Sequence, residues 1–228
     1  MKKWIFFDLD ATLIDVKKAQ NAAIKGLYDQ YCFSSCIDFP SFARKWDELT
    51  EYHYAFYARR EISYEEQRIR RIVDLFATYG KEMDSDPSEI YDDYLKYFEQ
   101  EWCLFDDVIS TISALRNSGH KLGIISNGDF NQQSEKLRKT GIDSFFEVVT
   151  TSSEYGFSKP DKRLFEAVIN RFAIDKKDIV MVGDQAEKDV LPCLEIGIDA
   201  IWLNRNGKAN RHDVVEINSL NELLNLGL

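Results

Sequence analysis

The chain has 228 residues, enough to bury a sizeable core as one domain or as a core domain carrying a smaller insert. Its formal net charge of -10 and pI of about 4.9 repel a long polyanion over most of the surface, so nucleic-acid polymers are not expected as partners. No apolar run approaches the ~20 residues that cross a bilayer, and "MKKWIFFDLD" turns acidic too early for a signal peptide; a cytoplasmic protein without a membrane partner is expected.

The first strand is expected at "WIFF", residues 4 to 7, and it runs straight into Asp8 and Asp10. Residues two apart on a strand face the same side. Both carboxylates can therefore address one cleft if the backbone stays extended through Leu9, although ionising both there is costly.

Residues 16 to 103 contain no clear strand run, and aromatic residues recur at helical spacing in "FARKWDELTEYHYAFYARR", "YEEQRIRRIVDLFATYG" and "EIYDDYLKYFEQEW". Ser63 with Glu66 reads as a capping box, and Asp86, Pro87 and Glu89 supply a cap, a first-turn proline and a first-turn carboxylate in order. The expected organisation is an all-helical domain, 16–103, inserted into an α/β core made of 1–15 and 104–228. Within the insert, the stripe from Tyr52 to Tyr57 reads first as a core face, the alternative being a lid surface that stacks on a base. His53 reads as a packed or surface residue, and Arg68, Arg70 and Arg71 as partners of nearby glutamates.

Cys32, Cys36, Cys103 and Cys193 read as reduced, mostly buried thiols. The "CFSSC" pair has no second Cys or His pair near it in sequence that would complete a metal site.

Beyond the insert, apolar runs rich in Ile, Val and Phe recur in "LGIIS" (122 to 126), "FFEVVTTS" (145 to 152), "IVMVG" (179 to 183) and "AIWLN" (200 to 204). They lack alternation, as parallel strands buried on both faces do. Helical patterns occupy 108 to 119, 131 to 141, 161 to 172 and 187 to 197, with Asp106 and Asp107 reading as the N-terminal cap of the first. The fold class is α/β: a doubly wound, Rossmann-like parallel sheet of five main strands. His120 and His212, each beside a polar turn, read as surface residues.

Ligands of open parallel sheets bind beyond the carboxyl ends of the strands. After the first strand come Asp8, Asp10 and Thr12; after the second, Ser126, Asn127 and Gly128; after the third, Lys159; after the fourth, Asp184 and Asp189. Several carboxylates in one cleft repel one another unless a hard cation sits among them, and Mg²⁺ prefers such oxygens. Ser126, the amides near Asn127 and Gly128, and the Lys159 ammonium are donors suited to a phosphate.

In order and spacing, "DLDATLID", "ISNGD", "SKPD" and "VGDQAEKD" resemble the four motifs of the haloacid dehalogenase-like hydrolase superfamily. The resemblance implies Asp8 as nucleophile and Asp10 as the acid and base that serves the leaving oxygen and then the water. It implies a magnesium ion held by the Asp8 carboxylate, the Asp10 carbonyl and Asp184, supported by Asp189, with Ser126, Asn127 and Lys159 on the phosphoryl oxygens. An acid at Asp10 favours phosphate esters over carbon–halogen bonds, because halide leaves without a proton. At Ala11 the family often has Gly, Asp or Asn, a variety that argues against a required left-handed backbone there. The insert resembles the helical cap that closes over the site in one branch, and "YARREISYEEQRIRR" leans within it towards pyrimidine 5'-nucleotidases. The activity implied is a Mg-dependent phosphatase of small phosphorylated metabolites such as nucleoside monophosphates. A sugar-phosphate mutase, or a regulatory or binding protein that has lost the chemistry, are the alternatives. Oligomeric state is open, a monomer being compatible with the sequence.

Overall fold

A computed structural model describes residues 3–59, 61–209 and 214–228, so the reading of His212 lies outside the described residues. The chain folds into two compact units, one taking in the chain up to Val16 together with Cys103–Leu228, the other Lys17–Trp102.

The first unit is built on six parallel strands: β1 (Trp4–Phe7), β2 (Lys121–Ser126), β3 (Val148–Thr151), β4 (Ile179–Gly183), β5 (Asp199–Leu203) and β6 (Glu216–Ile217), in the order β3-β2-β1-β4-β5-β6. This is the doubly wound Rossmann-like order, with β1 in the middle, Trp4 level with Lys121 on one side and Ile179 on the other. The pleat sends Ile5 and Phe7 to one apolar layer with Leu122, Ile124, Val180 and Val182, and Phe6 to a second with Ile125, Met181 and Trp202. Because both layers are covered, the strands read as continuous apolar runs.

Three local expectations change. The run 145 to 152 narrows to β3, because Asp143–Phe145 form a 3-10 turn and Phe145 and Phe146 pack on the first apolar layer. The pattern 187 to 197 divides into a turn of π-helix, Ala186–Val190, and a short helix, Leu191–Glu195, with Pro192 in its first turn. Asp107 sits at the N-cap position of Val108–Asn117 but makes no side-chain cap bond. Its carboxylate accepts instead from Arg205, Ser219 Oγ and the Leu220 amide.

The second unit contains α1 (Val16–Gln30) from Lys17 on, α2 (Phe39–Ala58), α3 (Tyr64–Thr78) and α4 (Pro87–Gln100). Asp38, Ser63 and Asp86 cap α2, α3 and α4, each accepting from a first-turn amide. Glu66 does not return the bond to Ser63; its carboxylate accepts from Arg70, so only half of a capping box forms. The inward face of α2 is Phe42, Trp46, Leu49 and His53, at spacings of four and three. That register turns Tyr52 and Tyr54 outward, 57% and 48% exposed, so the stripe is not a core face. His53 is packed, its Nε2 lying 2.8 Å from Asp74 Oδ2.

Of the three arginines, Arg70 alone pairs with a glutamate as expected. Arg71 is buried, donates to Thr50 Oγ1 and Gln67 Oε1, and lies over the Trp46 and Tyr91 rings; Arg68 lies over Tyr64 and Tyr91. Aromatic faces take the place of carboxylates there. The cysteines are free thiols, but only Cys193 is buried: Cys32 and Cys36 are exposed on a 3-10 turn and Cys103 is half-buried. No helix among the described residues is long and apolar enough to cross a membrane.

Candidate active site

β1 hands the chain to a tight loop. The Asp8 amide still donates to Val182 O, extending the ladder by one residue, and the amides of Leu13 and Ile14 then both fold back onto Leu9 O while Ala11 N donates to Ile14 O. Closing so short a loop puts Ala11 at φ 64, in the left-handed region, which corrects the expectation that this position needs no such backbone. A Cβ there costs about 1–2 kcal/mol, whereas Gly is free to adopt it. Ala11→Gly is therefore expected to stabilise the protein by about 0.5–1 kcal/mol after the larger unfolded-state entropy of Gly is counted, measured by urea denaturation.

Asp8 is buried, and Lys159 reaches it from the loop after β3. Lys159 Nζ donates to Asp8 Oδ1 (2.5 Å), Asp189 Oδ1 (2.7 Å) and the carbonyl of Ile125 (3.1 Å). Thr12 Oγ1 donates to Asp8 Oδ2 and accepts from the Asp184 amide, both at 3.1 Å. The second Asp189 oxygen accepts from the Gln185 amide at 3.0 Å. Gly183 permits this approach, since a Cβ on it would lie 2.4 Å from Asp189 side-chain atoms.

Burial pushes the Asp8 carboxyl up to about 7; Lys159 opposes the shift, while Asp189 and Asp184 add to it. Burial and then Asp189 push Asp184 up to about 6. For Lys159, burial acts downward, but Asp189 and Asp8 outweigh it and hold the ammonium above the ordinary lysine range.

Asp10 points into a second, adjoining group. Both of its oxygens accept from Lys136 Nζ, at 2.7 and 2.8 Å, and Oδ2 also from Gln133 Nε2 at 3.0 Å. The same Gln133 amide donates to Ser126 Oγ (2.8 Å) and Asn127 O (3.0 Å), tying the end of β2 to Asp10. The Asn127 side chain is committed to the backbone of Lys159: Nδ2 donates to its carbonyl and Oδ1 accepts from its amide. That clamp sets where the Lys159 side chain starts. Gly128, at φ 120, makes the turn that follows.

Of the residues singled out from sequence, buried Asp8, Lys159 and Asp189 thus form one cluster with half-buried Asp184, and Asp10, Ser126 and Asn127 a second around Gln133 and Lys136. One oxygen from each of Asp8, Asp184 and Asp189 lies within 4.8 Å of the others, and Asp184 Oδ1 is buried without a hydrogen-bond partner. Three carboxylates against one ammonium, with an orphaned oxygen among them, suit a divalent cation. Lys136 and Gln133 escaped the sequence reading. Their signal is a spacing of three on Phe130–Lys139, which places both on the face that also buries Leu137.

Beyond the ends of β1 to β4 the parallel sheet thus gathers carboxylates, a hydroxyl and a lysine, a set suited to a cation and a phosphate. The model of the haloacid dehalogenase-like hydrolases matches residues 5–203, and the chain belongs to that family. It is 32% identical over 229 residues to a glyceraldehyde 3-phosphate phosphatase of Methanothermobacter thermautotrophicus, covering 96% of this chain and 93% of that one. It is 24% identical to the pyrimidine 5'-nucleotidase YjjG of Escherichia coli, over 96% and 95% of the two chains. Among solved structures, the HAD-hydrolase YfnB of Bacillus subtilis, described as bound to magnesium, superposes with a TM-score of 0.81 at 23% identity over 98% of this chain and 97% of the other.

Proposed function

We propose that the protein is a magnesium-dependent phosphatase that hydrolyses small phosphate monoesters through an aspartyl-phosphate on Asp8. The observation that carries the reading is the Asp8 carboxylate held at the end of β1 between Lys159 and Thr12, beside the orphaned Asp184 oxygen. Asp8, the Asp10 carbonyl and Asp184 would hold the magnesium ion; Asp189, with both oxygens already accepting hydrogen bonds, supports Lys159 and the Gln185 amide. When bound, the ion neutralises charge on the phosphoryl oxygens and keeps Asp8 ionised.

The residues divide the work as follows. Asp8 attacks phosphorus and the ester oxygen leaves, taking a proton from Asp10. Water then gives a proton back to Asp10 and attacks the phosphoryl group, releasing inorganic phosphate and restoring Asp8. Lys136 Nζ and Gln133 Nε2 fix the orientation of the Asp10 carboxyl through hydrogen bonds to its two oxygens. Ser126 and Lys159 steady the phosphoryl oxygens, while Asn127 acts through its clamp on Lys159.

Substrates are expected among small phosphorylated metabolites, the class named in phosphatase relatives that act on glyceraldehyde 3-phosphate, phosphoserine or pyrimidine nucleotides. A panel of triose and sugar phosphates, phosphoserine and pyrimidine nucleotides, assayed for inorganic phosphate with and without Mg²⁺, tests the reading. Release that depends on Mg²⁺ is expected, and conversion of a sugar phosphate without phosphate release would identify a mutase instead.

A further inference from the structure

We propose that Arg205 is a positioning residue for Asp8, acting through Thr12. What Asp8 does is taken from the phosphatase reading, but the placement stands on geometry alone. Arg205 follows β5 by two residues and turns back under the loop after β1. Its Nη2 donates to the main-chain carbonyl of Thr12 at 3.0 Å and to Asp107 Oδ1 at 2.8 Å, while Nη1 donates to Asp107 Oδ2 at 2.9 Å. The guanidinium lies 4.0 Å over the Phe105 ring, and the side chains of Arg205 and Asp107 are largely shielded, 15% and 11% exposed.

Asp107 in turn accepts from Ser219 Oγ at 2.8 Å and the Leu220 amide at 2.9 Å. Four stretches of chain distant in sequence therefore meet on one Arg–Asp fork. They are the loop after β1, the start of the helix Val108–Asn117, the loop after β5 and the C-terminal turn Leu220–Asn225.

Thr12 is where this fork meets the chemistry. Its hydroxyl bridges Asp8 Oδ2 and the Asp184 amide, so a shift of the Thr12 backbone moves the donor to the nucleophile and the anchor of the Asp184 loop together. The neighbouring Ala11 sits in an unfavourable left-handed conformation and does not hold Thr12 in place by its own preference. An outside hold on the Thr12 carbonyl supplies that constraint. Only a planar fork can serve it while remaining bidentate to Asp107, and a lysine ammonium cannot reproduce both.

Arg205→Lys and Arg205→Gln, made in the full chain and assayed with p-nitrophenyl phosphate and Mg²⁺, test this. A kcat lower by about 10- to 100-fold, with KM changed by less than about threefold, is expected from a small displacement of the reacting group. Free guanidinium at non-denaturing concentration should restore part of the activity of Arg205→Ala. A second readout needs neither metal nor turnover: amide hydrogen exchange at Asp184, whose N–H bonds Thr12, should quicken in the metal-free variants. Should the Arg205 variants fail to fold, Asp107→Asn, which loosens the fork without removing the guanidinium, is expected to show both effects in milder form. Folded variants with wild-type kcat and wild-type exchange at Asp184 overturn the proposal. If the wild-type protein hydrolyses no ester, the phosphatase reading fails separately, and the exchange measurement still decides whether Arg205 positions Thr12.

Discussion

Asp8→Asn is expected to lower phosphate release by about 10⁴-fold or more while leaving the protein folded. The amide keeps the shape of the carboxylate and still offers Lys159 an oxygen, so the contacts of Lys159 with Asp189 and Ile125 O persist. It cannot form an acyl phosphate. Stability should move the other way. The folded-state pKa of Asp8 lies near 7, above its unfolded value of 3.8, so the native state prefers the protonated acid. Stability contributed by such a group is present below about pH 4 and is lost as pH rises through about 7. An asparagine carries no such dependence. The thermal midpoint of metal-free Asp8→Asn should therefore match or exceed that of the wild type, with the difference larger at pH 8 than at pH 5. Circular dichroism melts at the two pH values and a phosphate-release assay check both halves; activity within tenfold of wild type would remove Asp8 from the role of nucleophile.

The sheet is legible in the sequence because strands buried on both faces are continuous apolar runs, and β1, β2 and β4 are followed at once by polar residues of the cleft. Asp8 and Asp184 are legible for that reason, each the first residue past a strand end, whereas Lys159 and Asp189 lie farther along the loops after β3 and β4 and are legible from the motifs "SKPD" and "VGDQAEKD". What was not visible depends on partners far along the chain. Asp107 has the sequence of a helix cap, yet its carboxylate faces Arg205 and the C-terminal turn, neither of which local propensity can anticipate. Arg71 reads from sequence as a partner of nearby glutamates, but the rings of Trp46 and Tyr91, far from it along the chain, lie against its guanidinium instead. β6 is two residues long and exists only because Trp202 and Leu203 offer it an edge, too short for any periodicity. Ala11 gave no signal because alanine is a poor marker of a left-handed backbone; the conformation is imposed by the closure of Leu13 and Ile14 onto Leu9.

Lys159→Met is expected to cost about 3–5 kcal/mol of folding stability in the metal-free protein at pH 8, the usual penalty for leaving buried charge without its partner. Methionine fills much the same space, so the loss is electrostatic rather than a packing defect. With the ammonium gone, what the described residues leave to balance Asp8, Asp184 and Asp189 is the Lys208 charge acting on Asp184 and the dipoles of Thr12 and the Gln185 amide. Two responses distinguish this account from simple loss of structure. Asp8 and Asp184 already have raised pKa values, near 7 and 6, and without Lys159 they rise further, so at pH 5.5 both take up protons and the penalty shrinks. A divalent cation can replace the missing charge, so Mg²⁺ should recover more stability in Lys159→Met than it adds to the wild type. Urea denaturation at pH 8 and pH 5.5, with EDTA and with Mg²⁺, gives the four comparisons. A loss under about 1 kcal/mol at pH 8, or one that grows as the pH falls, would mean that the cluster is not balanced by Lys159. Both variants abolish turnover in this reading, yet they shift stability in opposite directions, because one removes a surplus negative charge from the cluster and the other removes the ammonium hydrogen-bonded to Asp8 and Asp189.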